Sequence, residues 1–147
     1  MIYVGIDPGK SGAVAFLPEQ GEPWFIKNEN NLYDIVDELE NLAKGNELSA
    51  MIEKVHSFPG DGRSGSFKFG QSYGQLEGVL AGLHITLERV VPRVWQQALG
   101  CLTKGKKNVT KVRAKELFPN TKIIHANADA LLIAEYARRL GYLNRGN

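Results

Sequence analysis

Residues 2–6 (IYVGI) are mostly apolar and partly β-branched, which predicts a strand. GAVAFLP (12–18) follows a Pro-Gly turn and predicts a second strand. PWFIK (23–27) follows a glycine-containing turn and predicts a third. Such short turns favour an antiparallel meander. The period then changes. In NLYDIVDELENLAKG (31–45), Leu32, Ile35, Val36, Leu39 and Leu42 fall at helical spacing, and Gly45 sits where a C-terminal cap belongs. LSAMIE (48–53) predicts a fourth strand and HSFPGDGRSGS (56–66) a loop. KFGQSYGQLEGVLAGL (68–83) predicts a helix marked by glycines at every fourth position. ITLERVV (85–91) predicts a fifth strand, and PRVWQQALG (92–100) a short helix opened by proline. TKGKKNVTK (103–111) predicts loop and VRAKELFP (112–119) a helix stopped by Pro119. A last helix is predicted from about His125 to Leu140, ended by Gly141.

The order β β β α β α β α predicts an α/β fold: a mixed five-stranded sheet flanked by helices, as in the ribonuclease H-like arrangement. A chain of 147 residues suits one domain over 1–147. No run of 18 or more apolar residues is present, so no membrane partner is expected, and the N-terminus does not read as a signal peptide. The single cysteine, Cys101, cannot form an internal disulfide and is compatible with a reducing cytoplasm. An organelle is the alternative if a transit peptide was removed. Charge is uneven. Residues 1–60 hold 4 basic and 10 acidic residues (−6), whereas residues 61–147 hold 14 basic and 6 acidic (+8). Such asymmetry suits a polyanionic partner, or an ordinary solvated surface.

Two strands end in an acid: Asp7 closes the first and Glu53 the fourth. If these strands are parallel neighbours, both acids emerge at the carboxyl edge of the sheet, where open α/β sheets place ligands. His125 and Asp129, four apart, share a face of the last helix. Crowded carboxylates repel unless a cation lies between them. Oxygen donors with one imidazole suit Mg²⁺ or Mn²⁺, and two such ions per site, about 4 Å apart, can drive phosphodiester hydrolysis. Cys101 and the histidines lack zinc-site spacing.

The stretch GIDPGKSG (5–12) looks like a phosphate-cradling loop but lacks its spacing. Only Ile6, Asp7 and Pro8 separate Gly5 from Gly9, and Val4 stands where glycine is required. A strand follows rather than a helix. No nucleotide cofactor is expected, and an actin-like ATPase module would need a second domain. Weight therefore falls on Asp7 rather than on Lys10 and Ser11.

GIDPGKSGAVAF (5–16), the IEK around Glu53, FGQSYGQLEGVLAGL (69–83), RVVPRVWQQALG (89–100), AKELFP (114–119) and HANADALLIAEYARR (125–139) together resemble RuvC-type Holliday junction resolvases of the ribonuclease H-like superfamily. The chloroplast and phage-type branch is closest, and Pro59-Gly60-Asp61-Gly62 matches its PxDG element. The resemblance implies a homodimeric, metal-dependent endonuclease that binds a four-way DNA junction and nicks two opposed strands symmetrically. Asp7, Glu53 and Asp129 would match the family's acids. Bacterial members carry an aspartate three residues before the last acid, where this chain has Ala126. Either His125 serves instead, or the site is weakened and the protein binds junctions without cutting. Another branched DNA, or RNA, is the further alternative.

TKGKKNVTKVRAK (103–115) holds six basic residues and no acid, enough to neutralise several phosphates. Lys104, Lys106, Lys107 and Arg113 are DNA-binding candidates here. Following the family, Lys111 or Lys107 would approach the scissile phosphate. Lys10, Arg63 and Lys68 are further DNA candidates. Phe58 is a candidate wedge between bases, whereas Phe67 and Phe69 either join it or anchor the following helix in the core.

Overall fold

The computed structural model describes residues 1–55, 60 and 62–145. The elements are β1 (Ile2–Asp7), β2 (Ala13–Pro18), β3 (Trp24–Lys27), α1 (Leu32–Ala43), β4 (Leu48–Glu53), α2 (Gly62–Gly82), β5 (Thr86–Val90), α3 (Pro92–Ala98), α4 (Asn108–Leu117) and α5 (His125–Arg145). They build one five-stranded mixed sheet in the order β3-β2-β1-β4-β5. β1–β2 and β2–β3 are antiparallel, whereas β1–β4 and β4–β5 are parallel. The expected meander and the expected parallel neighbours are both present.

Both faces of the sheet are covered, and period-two alternation decides which side chain goes where. Ile2, Val4, Ile6, Val14, Phe16, Ala50 and Ile52 pack with Ile35 and Leu39 of α1 and Leu76 and Leu80 of α2. Tyr3, Ala13, Ala15, Leu17 and Met51 pack on the other face with α5, Trp95 of α3 and Ala114 of α4. The second face carries Gly5, Ala13 and Ala15 at the sheet centre, so α5 approaches closely. A Cβ at Gly5 would overlap the Ala130 carbonyl oxygen and the Ala134 amide nitrogen of α5. α5 is therefore seated on β1 at backbone contact.

Three boundaries differ from the sequence expectation. α5 runs through Gly141 to Arg145 instead of ending there. Gly141 is small because Tyr3 lies against it, where a Cβ would meet the ring and hydroxyl. α4 begins at Asn108, so Lys111 is helical rather than in a loop. α2 begins at Gly62, so Arg63 lies on a helix instead of a loop, and Phe67 joins Lys68 and Phe69 on it. The glycine stripe does not pack on the sheet: Gly70, Gly74, Gly78 and Gly82 have no neighbour within 4 Å of a would-be Cβ. Phe67 is 72% exposed and does not anchor α2 in the core. Phe58, and Pro59 and Asp61 of the PxDG element, lie outside the described residues.

Candidate active site

Asp7 and Glu53 end adjacent parallel strands, one step beyond the paired Ile6 and Ile52. Both stand in the same alternation as Gly5 and Met51, so both project toward the α5 face. Asp129 sits one turn into α5, and Gly5 lets that helix lie against β1. The three carboxylates consequently interact. Burial pushes the Asp7 carboxyl well above its ordinary range, and the charges of Asp129 and Glu53 add to the push. Burial likewise raises Glu53 from 4.5 to about 7, opposed by a hydrogen bond from Trp95 and reinforced by Asp129. Asp129 is raised by burial and lowered by a hydrogen bond with Thr110.

Neighbouring side chains fix this edge. The indole Nε1 of the fully buried Trp95 donates to Glu53 Oε2 at 2.8 Å. Asn28, one residue beyond β3, donates through Nδ2 to the carbonyl oxygens of Asp7 (2.8 Å) and Gly9 (2.7 Å). A turn closed by Gly12 N–H to Gly9 O links β1 to β2, with Gly9 at φ +99°. This hairpin replaces the helix that a nucleotide-binding loop would need. The buried Asn127 accepts from the Ile124 N–H and donates to Lys122 O, which fixes the entry into α5. The sequence reading assigned no role to Trp95, Thr110, Asn28 or Asn127. Trp95 was the most legible of them, because a buried indole N–H requires an acceptor.

A cavity of about 540 Å³ opens beside the acids. Glu53, Asp129, His125, Thr110, Lys107 and Lys111 are among its lining residues. His125, the exposed first residue of α5, thus faces the same space as Asp129 four residues on, while Ala126 is half-buried. Lys106 lines a separate cavity of about 550 Å³ on α4. Arg113 is committed within the chain, donating to Leu99 O at 2.8 Å and to Glu116 at 2.9 Å. Lys10 pairs with Glu29 at 3.1 Å on the exposed turn. Lys104, Arg63 and Lys68 are exposed.

The donor chemistry suits a hard divalent cation. Three carboxylates are driven toward protonation by burial, and no ion pair engages any of them among the described residues. Their side chains are nonetheless not gathered into one coordination sphere: among the described residues, no three His, Cys, Asp or Glu groups stand close enough to hold an ion.

No family model matches the chain. It is 32% identical over 96 residues, 61% of its length, to the chloroplastic Holliday junction resolvase MOC1 of Chlamydomonas reinhardtii. The match spans only 11% of that protein. Among solved structures, Thermus thermophilus RuvC superposes with a TM-score of 0.66 at 18% identity, covering 96% of this chain and 97% of that one. The same protein in complex with a Holliday junction substrate gives 0.66 at 17% identity, covering 96% of each chain. The chain has the ribonuclease H-like fold of RuvC and, in sequence and fold together, resembles the RuvC-type Holliday junction resolvases.

Proposed function

We propose that the chain is a metal-dependent endonuclease that resolves four-way DNA junctions by paired symmetric nicks. One observation carries this reading: Asp7, Glu53 and Asp129 converge on one face at the carboxyl edge of the sheet, beside a cavity that also presents Lys107 and Lys111. The similar proteins support it further, since one is a Holliday junction resolvase and another was solved in complex with a Holliday junction substrate.

Drawn together from the positions they occupy here, Asp7, Glu53 and Asp129, with His125 at the rim, would hold Mg²⁺ or Mn²⁺. Bound ions would supply charge for the attacking water and the leaving oxygen. The protein's own groups do the rest. Trp95 and Thr110 each favour the ionised form of a carboxylate, partly offsetting the cost of burial. Lys111 and Lys107 supply positive charge where a phosphodiester would lie, and so stabilise negative charge as it develops. Lys104 and Lys106 extend the positive surface along the DNA backbone. A homodimer would present two such sites to opposed strands.

The test is incubation with a synthetic four-way junction, a flap, a plain duplex and a structured RNA, in Mg²⁺ or Mn²⁺. Paired nicks confined to the junction are expected. Preferential cutting of the flap or RNA would replace the substrate assignment. Ala126, standing where bacterial members carry an aspartate, favours one second reading: a junction-binding protein without cleavage. Tight junction binding with no nicks in either metal would establish it.

A further inference from the structure

Glu53 and Asp129 are each steadied at the carboxylate, by Trp95 and by Thr110. Asp7 is held differently. It is the last residue of β1, and the register with β4 already ends at Ile6 and Ile52. On its other side it pairs with Ala13 of β2, to which the chain returns through a turn containing Gly9 and Gly12. Gly12 is packed onto Asp7: a Cβ there would overlap the Asp7 carbonyl oxygen and stand 3.1 Å from Asp7 Cγ. The carboxylate is therefore only as well aimed as this turn is fixed.

Asn28 fixes it. Asn28 lies one residue beyond the Ala13–Lys27 pair of β2 and β3, and its own N–H donates to Gly12 O at 3.1 Å. Its side chain then crosses the turn. Nδ2 donates to Asp7 O at 2.8 Å and to Gly9 O at 2.7 Å. One residue thus holds Asp7, Gly9 and Gly12 at once. A side chain of this size needs two neutral donors on one nitrogen to do so. A hydroxyl has one proton, and a carboxylate of the same shape has none. Asn28 Oδ1 is buried and accepts nothing among the described residues. A buried acceptor left over costs stability, so Asn28 contributes less to folding than its two donations suggest. What the donations contribute is direction.

We propose that Asn28 is a positioning residue for the Asp7 carboxylate. It acts through the backbone of Asp7 and so sets how tightly the site takes a divalent cation. With that backbone held, only the side-chain bonds of Asp7 need turn to bring its carboxylate toward Glu53 and Asp129. The proposal rests on the reading of these acids as cation ligands in the nuclease proposed above. It assigns a role to a residue that contributes no ligand.

The test uses Asn28→Leu, which keeps the shape of the side chain and removes both donors. Binding of Mn²⁺ to the chain alone is followed by electron paramagnetic resonance, which counts the free ion. The dissociation constant should rise about tenfold in Asn28→Leu, the scale of a lost outer partner at a metal site. Asp7→Asn should weaken binding by itself. Adding Asn28→Leu to it should then change the constant by less than about twofold, because the route through Asp7 is gone. In cleavage, the Mn²⁺ concentration for half-maximal rate should rise by the same factor as the constant, while junction affinity in EDTA stays unchanged. Unaltered Mn²⁺ affinity in Asn28→Leu, or equal weakening with and without Asp7, overturns the proposal. Urea unfolding checks that the variant folds. If it does not, Asn28→Ala carries the same measurements, and loss of folding in both overturns the proposal in favour of a purely structural role. A wild-type chain that binds no Mn²⁺ rejects both readings. Mn²⁺ binding with the expected variant pattern, but no cut junction, rejects only the nuclease reading.

Discussion

Replacing Glu53 by glutamine should stabilise the metal-free protein by an amount that grows from about pH 4.5 and is complete above about pH 7. Glu53 is buried, and its carboxyl is raised from 4.5 to about 7. The folded state therefore binds a proton more tightly than the unfolded chain. An acid raised in this way leaves stability intact at low pH. Stability is lost as pH climbs from about 4.5 to about 7, and the loss is complete above that. At 1.36 kcal/mol per pH unit, the rise corresponds to about 3 kcal/mol. Glutamine has the same shape and keeps an oxygen for the Trp95 N–H, so the variant removes charge and little else. Urea unfolding in EDTA should show no difference near pH 4, and near pH 8 a midpoint raised by about 1–2 M in Glu53→Gln. Relief of Asp7, whose carboxyl is raised partly by Glu53, adds to the gain. An equal effect at both pH values, or a loss near pH 8, would refute the view that these acids are held charged against burial. Mg²⁺ near pH 8 should narrow the gap by stabilising the wild-type chain.

Three other outcomes follow from named contacts. Trp95→Phe removes the donor that favours ionised Glu53, so the acid limb of the cleavage profile should move to higher pH by about one unit; an unmoved limb would leave the indole a packing role alone. Gly5→Ala forces a methyl into the backbone of α5 and should cost about 3 kcal/mol in urea unfolding; unchanged stability would contradict the seating of α5 on β1. Lys104→Ala and Lys106→Ala should each lower the salt dependence of junction binding by about one in the log–log slope, without altering substrate preference.

Strand runs and their acids were legible because burial on both faces writes continuous apolar segments. Asp7 and Glu53 could be read as strand ends, and β1 and β4 pair as required. Their common face was legible too, since Gly5 and Asp7 share parity, as do Met51 and Glu53, but strand-end position alone did not use it. The helix starts were harder. Gly62 and Asn108 begin helices inside stretches that composition marks as loop, because α2 and α4 gain their order from burying Leu76, Leu80 and Ala114 further along. Gly141 carried a stop signal that packing overrode, since only glycine clears Tyr3. Thr110 and Asn28 were invisible, because each acts on a residue distant in sequence. Arg113 looked like one more DNA-binding cation in a basic run, yet it is tied to Leu99 and Glu116.

Cleavage by Asp7→Asn bears most directly on the carboxylate cluster. A labelled four-way junction is incubated with the wild-type chain and the variant, in Mg²⁺, in Mn²⁺ and in EDTA, with binding followed in parallel. The wild-type chain should produce paired nicks in either metal and none in EDTA. Asp7→Asn should bind the junction and cut nothing. Metal-dependent nicking retained by Asp7→Asn would show that the chemistry lies elsewhere on the molecule.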